Sequence, residues 1–208
     1  MSENPAKDKV FLVEDGEAVR RSLQFQMEAM GYDVDAYPSA YSFLEKYEPC
    51  ESSCLLLDVR MPGMTGIELQ QLLRDKRDPI PVVMISGHAD VPAAVRAMKN
   101  GAVDFLSKPV SGEELSTALS FALKKSSGEI EPQGLEESDD IKTRIASLTP
   151  RETEVLNYVV DGFSSRQIAE QLEVSFKTIE AHRSKIMTKT KAQNVAHLVR
   201  MCLAEEPQ

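Results

Sequence analysis

Several short apolar runs in this chain end in residues able to do chemistry. KVFLV (9–13) runs into Glu14-Asp15, SCLLLD (53–58) closes on Asp58, IPVVMIS (80–86) closes on Ser86, and AVDFLS (102–107) is followed by Lys108-Pro109. Carboxylates brought close together repel and raise each other's pKa unless a cation joins them. An all-oxygen donor set, completed by water, suits Mg²⁺. An aspartate beside such a cation, with a hydroxyl and a lysine at the same edge, is equipped to accept a phosphoryl group. The carboxylate is the nucleophile, metal and lysine neutralise charge, and the hydroxyl bonds a phosphoryl oxygen. A single Asp at a strand end would be only a cap or a solvated turn, so the reading depends on convergence.

The elements that must position these residues follow from the hydrophobic pattern. Five β-branched or apolar runs, the four above and YDVDAY (32–37), alternate with helical patterns over 17–30, 39–47, 66–76, 90–100 and 111–124. Ser39 precedes AYSFL, Thr65 stands three before Glu68, and Ser111 three before Glu114, which are helix-start signatures. Gly31 and Gly101 stand where helix ends favour a left-handed residue. Strands apolar on both faces between helices predict an α/β doubly wound five-stranded parallel sheet. Ligands bind such folds beyond the carboxyl ends of the strands, which is where Glu14, Asp15, Asp58, Ser86 and Lys108 fall.

With VEDGE (13–17), LLLDVRMPGMTGIEL (55–69), VVMISGHAD (82–90) and AVDFLSKP (102–109), residues 8–125 resemble a response-regulator receiver domain of the flavodoxin/CheY-like fold. The resemblance implies Asp58 as phosphoacceptor, forming a 4-aspartylphosphate. It implies Asp15 and Asp58 as Mg²⁺ ligands, Glu14 acting through metal-bound water, and the Arg60 backbone carbonyl as a further ligand. Ser86 and Lys108 would contact the phosphoryl group, and Phe105 would be the aromatic switch, acting by ring packing because it lacks a hydroxyl. Glu14 stands where Asp is more frequent in the family. A phosphatase of the haloacid-dehalogenase type would carry a second Asp two residues beyond the nucleophile; Arg60 occupies that place, so turnover catalysis is not expected.

Residues 126–144 open as a polar, acidic connector, with six acids and no base over 128–140, and a helix is expected to start near Leu135 or Ser138. Beyond it lie only helical patterns, at 149–161, 164–172, 175–189 and 193–204. Ile168, Ala169 and Leu172 give one helix an apolar face, Val174 and Ser175 form a turn and cap, and Ile179, His182 and Ile186 line the buried side of the next. That is the layout of a helix-turn-helix. Residues 175–191 carry Lys177, Arg183, Lys185, Lys189 and Lys191 against Glu180 alone, a stripe suited to phosphate neutralisation. A plain bundle with a solvated charged face would show the same periodicity.

SLTPRETEVL, GFSSRQIAEQL and VSFKTIEAHRSKIMTK resemble the LuxR-type helix-turn-helix DNA-binding domain over residues 145–204. That resemblance makes 164–172 the scaffold helix, 175–189 the recognition helix and 193–203 the dimerisation helix. It implies Lys177, Glu180, Ala181 and Ser184 as base-edge contacts and Thr178, Arg183 and Lys185 as phosphate contacts. Thr190 stands where Leu is usual. Glu180, where Lys is frequent, implies a different base preference, since Glu accepts from a cytosine amino group.

The two resemblances together imply a response regulator of the FixJ/NarL type. It would be phosphorylated by a cognate sensor histidine kinase, would dimerise on phosphorylation, and would bind double-stranded DNA to regulate transcription, with RNA polymerase as a further partner. The alternative is a phosphorylation-independent DNA-binding regulator whose receiver serves only for protein contacts. Charge is distributed accordingly: of a total of −9, residues 1–127 carry −5 and residues 141–208 carry +2. The absence of a long apolar stretch and of a signal peptide in MSENPAKDK predicts a cytoplasmic protein with no membrane partner. Cys50, Cys54 and Cys202 are read as reduced thiols.

Overall fold

The computed structural model describes residues 8–87, 91–128 and 138–203. In chain order these form β1 (Lys9–Val13), α1 (Glu17–Ala29), β2 (Asp33–Tyr37), α2 (Ala40–Lys46), β3 (Ser53–Asp58), α3 (Gly66–Asp75), β4 (Val82–Ser86), α4 (Val91–Lys99), β5 (Asp104–Ser107) and α5 (Gly112–Ser126). Five helices follow: α6 (Ser138–Ala146), α7 (Pro150–Val160), α8 (Ser165–Gln171), α9 (Phe176–Thr190) and α10 (Val195–Leu203). They divide into two units, one of residues 8–87 and 100–128, the other of 91–99 and 138–203.

In the first unit the sheet is wholly parallel, in the order β2-β1-β3-β4-β5. Leu55, Leu56 and Leu57 of β3 are all completely buried, each burial contributing roughly 1.5–3 kcal/mol. On one side, Val10, Leu12, Leu56, Val83 and Ile85 pack with Leu23 and Met27 of α1 and Leu115 and Leu119 of α5. Around α2, Phe43 meets Phe11 and Tyr37 edge to face and stacks on Tyr47. Burial pushes the Cys54 thiol up to about 12, so it is an unreactive core group.

The expected helix starts are realised by capping boxes in which Ser39, Thr65 and Ser111 exchange bonds with Ser42, Glu68 and Glu114. Gly31 and Gly101 hold left-handed conformations, at φ 99° and 91°. Strands β4 and β5 begin two residues later than the apolar runs do. Pro81 has no amide to give a ladder, which accounts for β4. The Lys108-Pro109 bond is cis.

In the second unit α9 lies against α6, α7 and α8, burying Ile179 and Ile186 with Val155, Leu156 and Ile168. Thr149 caps α7 in a box with Glu152. Thr190 is fully buried, and its hydroxyl donates to the Ile186 carbonyl at 2.8 Å, so a polar residue is accommodated at this packed position. α6 begins at Ser138; Leu135, the rest of the expected connector over 129–137, and the expected helix start at Asp90 lie outside the described residues.

Candidate functional site

The parallel sheet delivers the ends of β1, β3, β4 and β5 to one edge, and the expected residues meet there. Glu14 follows β1 and is buried, Asp58 ends β3 and is buried, Ser86 ends β4 and is buried, and Asp15 is exposed. Carboxylate oxygens of Glu14, Asp15 and Asp58 lie within 4.8 Å of one another. Lys108, from the residue after β5, donates to Asp58 Oδ1 and to Glu14 Oε2, the latter at 2.5 Å. Asp58 Oδ2 accepts from the Arg60 amide at 3.0 Å, which brings the Arg60 backbone beside the acid cluster. Phe105 is buried in β5, paired in register with Met84.

Burial holds the Glu14 carboxyl above its ordinary value; Asp58 adds to the rise, while Lys108 and the Gly16 amide oppose it. For Lys108, burial is the largest single influence and pulls downward. The hydrogen bonds and charges of Asp58 and Glu14 outweigh it and hold the ammonium above the usual lysine value. Buried acids that need this much compensation fit a hard divalent cation.

Two residues that the pattern of the sequence did not single out complete the pocket. Arg20 donates through Nη1 to the carbonyls of Glu14 (2.8 Å) and Asp15 (3.1 Å), fixing the turn that presents both acids. Gly66 opens α3 directly against β3: a Cβ there would stand 2.0 Å from the Asp58 carbonyl oxygen. A cationic side chain one helical turn past the acids was the only sequence signal for Arg20. For Gly66 it was a glycine just after a cap, where a bulkier helix former would serve as well.

In the second unit α8 and α9 form the expected tight pair. Leu172 is the C-cap of α8, Glu173 turns the chain at φ 52°, and Ser175 caps α9 by accepting from the Thr178 amide at 3.0 Å. Ile168 and Ala169 face this junction from α8 and Ile179 from α9, all buried; His182 is half-buried. On the opposite side of α9, Phe176, Lys177, Glu180, Ala181, Ser184 and Lys185 are all exposed, at spacings that make one continuous stripe. The expected base-edge residues lie on it, with Lys185. Arg183 does not: its Nη1 reaches Ser165 Oγ at 2.5 Å and lies 3.6 Å from Glu180, so it ties α9 to the start of α8. Thr178 is half-buried, its hydroxyl 2.7 Å from Ser175 Oγ. Lys189 bonds the buried Glu152 at 2.6 Å, so it too belongs to the packing of the unit.

Comparison with known proteins agrees with both halves. Residues 10–120 match the response regulator receiver domain and residues 146–202 the bacterial regulatory proteins of the luxR family. The chain is 40% identical over 197 residues to the transcriptional regulatory protein FixJ of Rhizobium meliloti, covering 94% of this chain and 95% of that protein. It is 37% identical over 199 residues to FixJ of Bradyrhizobium diazoefficiens, covering 95% of both. Among solved structures, full-length FixJ from B. japonicum aligns with a TM-score of 0.57 at 36% identity, over 95% of this chain and 97% of that one.

Proposed function

The chain belongs to the response regulators that join a receiver domain to a LuxR-type DNA-binding domain, and on that premise we propose how its own residues do the work. Asp58 is the phosphoacceptor. One of its carboxylate oxygens attacks the phosphorus of a phosphohistidine on a sensor kinase; the P–N bond breaks, the imidazole leaves with its electron pair, and an acyl phosphate forms. Lys108, already on Asp58, offsets the anionic charge that accumulates, and the Ser86 hydroxyl donates to a phosphoryl oxygen. Glu14, Asp15, Asp58 and the Arg60 carbonyl would hold Mg²⁺, which supplies charge neutralisation when bound. Phe105 would report the new state by repacking its ring.

The output follows from the second unit. Lys177, Glu180, Ala181 and Ser184 face base edges in the major groove and Lys185 lies toward phosphates, while Arg183, held on Ser165, and Thr178, bonded to Ser175, position the helix rather than contact the duplex. A single reading helix contacts few bases, so a dimer formed on phosphorylation, which raises the second helix's effective concentration at its half-site, gives the switch its gain. RNA polymerase is then the natural downstream partner, and the site of action is the cytoplasm. No helix among the described residues is long and apolar enough to cross a membrane.

One observation carries this reading: the Lys108 ammonium bridges Asp58 and Glu14 at the carboxyl edge of the sheet. Incubation with acetyl phosphate and Mg²⁺ should give acid-labile label and a shift from monomer to dimer in sedimentation. Asp58→Asn should abolish both. Undiminished label in that variant, or equal labelling in EDTA, would remove the assignment.

A further inference from the structure

Phe176 takes no part in the phosphoacceptor site or the packing of α9, and its position is unusual. It is 52% exposed, and among the described residues the other large exposed hydrophobics, Val19, Phe25, Met30 and Tyr41, all lie in the first unit. A solitary exposed apolar side chain is ordinary on a protein surface. This one, however, is the first residue of α9 and heads the exposed column that continues through Glu180 and Ser184. Its turn is fixed by the Ser175 cap, with Thr178 bonded to Ser175 through both amide and hydroxyl. The N-terminal turn of a recognition helix is the part that reaches base edges.

A phenyl ring has neither donor nor acceptor, so it cannot read the hydrogen-bonding pattern of a base edge. The one apolar group in the major groove is the C5 methyl of thymine, and phenylalanine is among the side chains that contact it. Building on the DNA-binding function proposed above, we infer that Phe176 is a specificity-determining residue that packs its ring on a thymine methyl in each half-site. Four residues of α-helix rise about 6 Å. The thymine therefore lies within roughly two base-pair steps, at ~3.4 Å each, of the base read by Glu180. Lys177 beside it offers charge to the neighbouring acceptors, so the head of the helix combines one apolar and one cationic determinant.

The test uses the full-length chain, phosphorylated with acetyl phosphate, and duplexes selected by it from a random-sequence pool. Each thymine of a selected duplex is replaced singly by deoxyuridine, which removes the methyl alone. One position per half-site should lose about fourfold in affinity with the native protein, the effect of one buried apolar carbon. That loss should vanish with Phe176→Ala and persist with Phe176→Leu, which keeps an apolar side chain. Unchanged thermal unfolding of both variants would show that the exposed position does not carry the fold. Absence of any methyl-sensitive position, or a sensitivity that persists in Phe176→Ala, overturns the inference while leaving DNA binding intact. Failure to select any sequence would instead remove the DNA-binding reading, and this inference with it.

Discussion

Lys108 donates to the Asp58 carboxylate, and the same ammonium reaches Glu14 Oε2 at 2.5 Å. Two buried acids thus share one cation from the opposite end of the domain's sequence. Lys108→Met leaves them facing each other without it. In EDTA the variant should be less stable by roughly 2–3 kcal/mol, below the ~3–5 kcal/mol of a wholly buried pair because the lysine is partly exposed. Mg²⁺ should restore more stability to this variant than to the native protein. Urea midpoints with and without Mg²⁺ check this, and equal restoration in both would count against a shared cation site.

Gly66 sets a steric limit on the backbone that carries the same carboxylate. A methyl group there meets backbone rather than a flexible side chain, so the start of α3 or the end of β3 must move. Gly66→Ala should cost at least the ~1–3 kcal/mol of an overpacked core and slow labelling of Asp58. If the variant unfolds at the native urea midpoint, the contact is not confining.

Glu152 predicts how acid acts on the second unit. Its bond from Lys189, then the Thr149 amide, hold its carboxyl at about 2, down from 4.5. A depressed acid stabilises the fold fully above its unfolded value and loses that contribution as pH falls through the folded value. The contribution of Glu152 is therefore complete above pH 4.5 and fades toward pH 2. Glu152→Gln should be less stable at pH 7, and its thermal midpoint should converge on the native one between pH 4.5 and 2. A constant gap across that range would contradict the pairing.

On DNA, Lys185→Ala should weaken binding to all sequences and reduce the salt slope by about 0.9. Glu180→Gln should instead change which base is preferred, at a cost of roughly 1–3 kcal/mol for a lost base contact. Salt titrations of binding to selected and scrambled duplexes separate the two effects, and identical behaviour of both variants would sink the division of roles.

The strand and helix positions, and the placing of Glu14, Asp15, Asp58, Ser86 and Lys108 at strand ends, were legible in the sequence because strand ends and helix caps are local signals. Thr65 with Glu68 and Ser111 with Glu114 marked where helices begin, and apolar runs marked what lies between. Contacts across the fold were not legible. The Glu152–Lys189 bond joins residues 37 apart, and the Arg183–Ser165 bond joins two helices. Both lysine and arginine entered the sequence reading as members of a basic stripe, since composition counts charges without showing which way they face. Phe176 was not legible for the converse reason: an apolar residue in a helix fits a core position until its exposure is known.

The two sides of α9 have no residue in common. Ile179, Ile186 and Thr190 hold it in the unit, while Phe176, Glu180 and Ser184 stand in the open. Substitutions on the outer column therefore leave the buried packing untouched, with Glu180 alone reaching back to Arg183. After a gene duplication, daughter proteins could drift to new operators without passing through unstable intermediates, each keeping the same scaffold while its promoter set diverged.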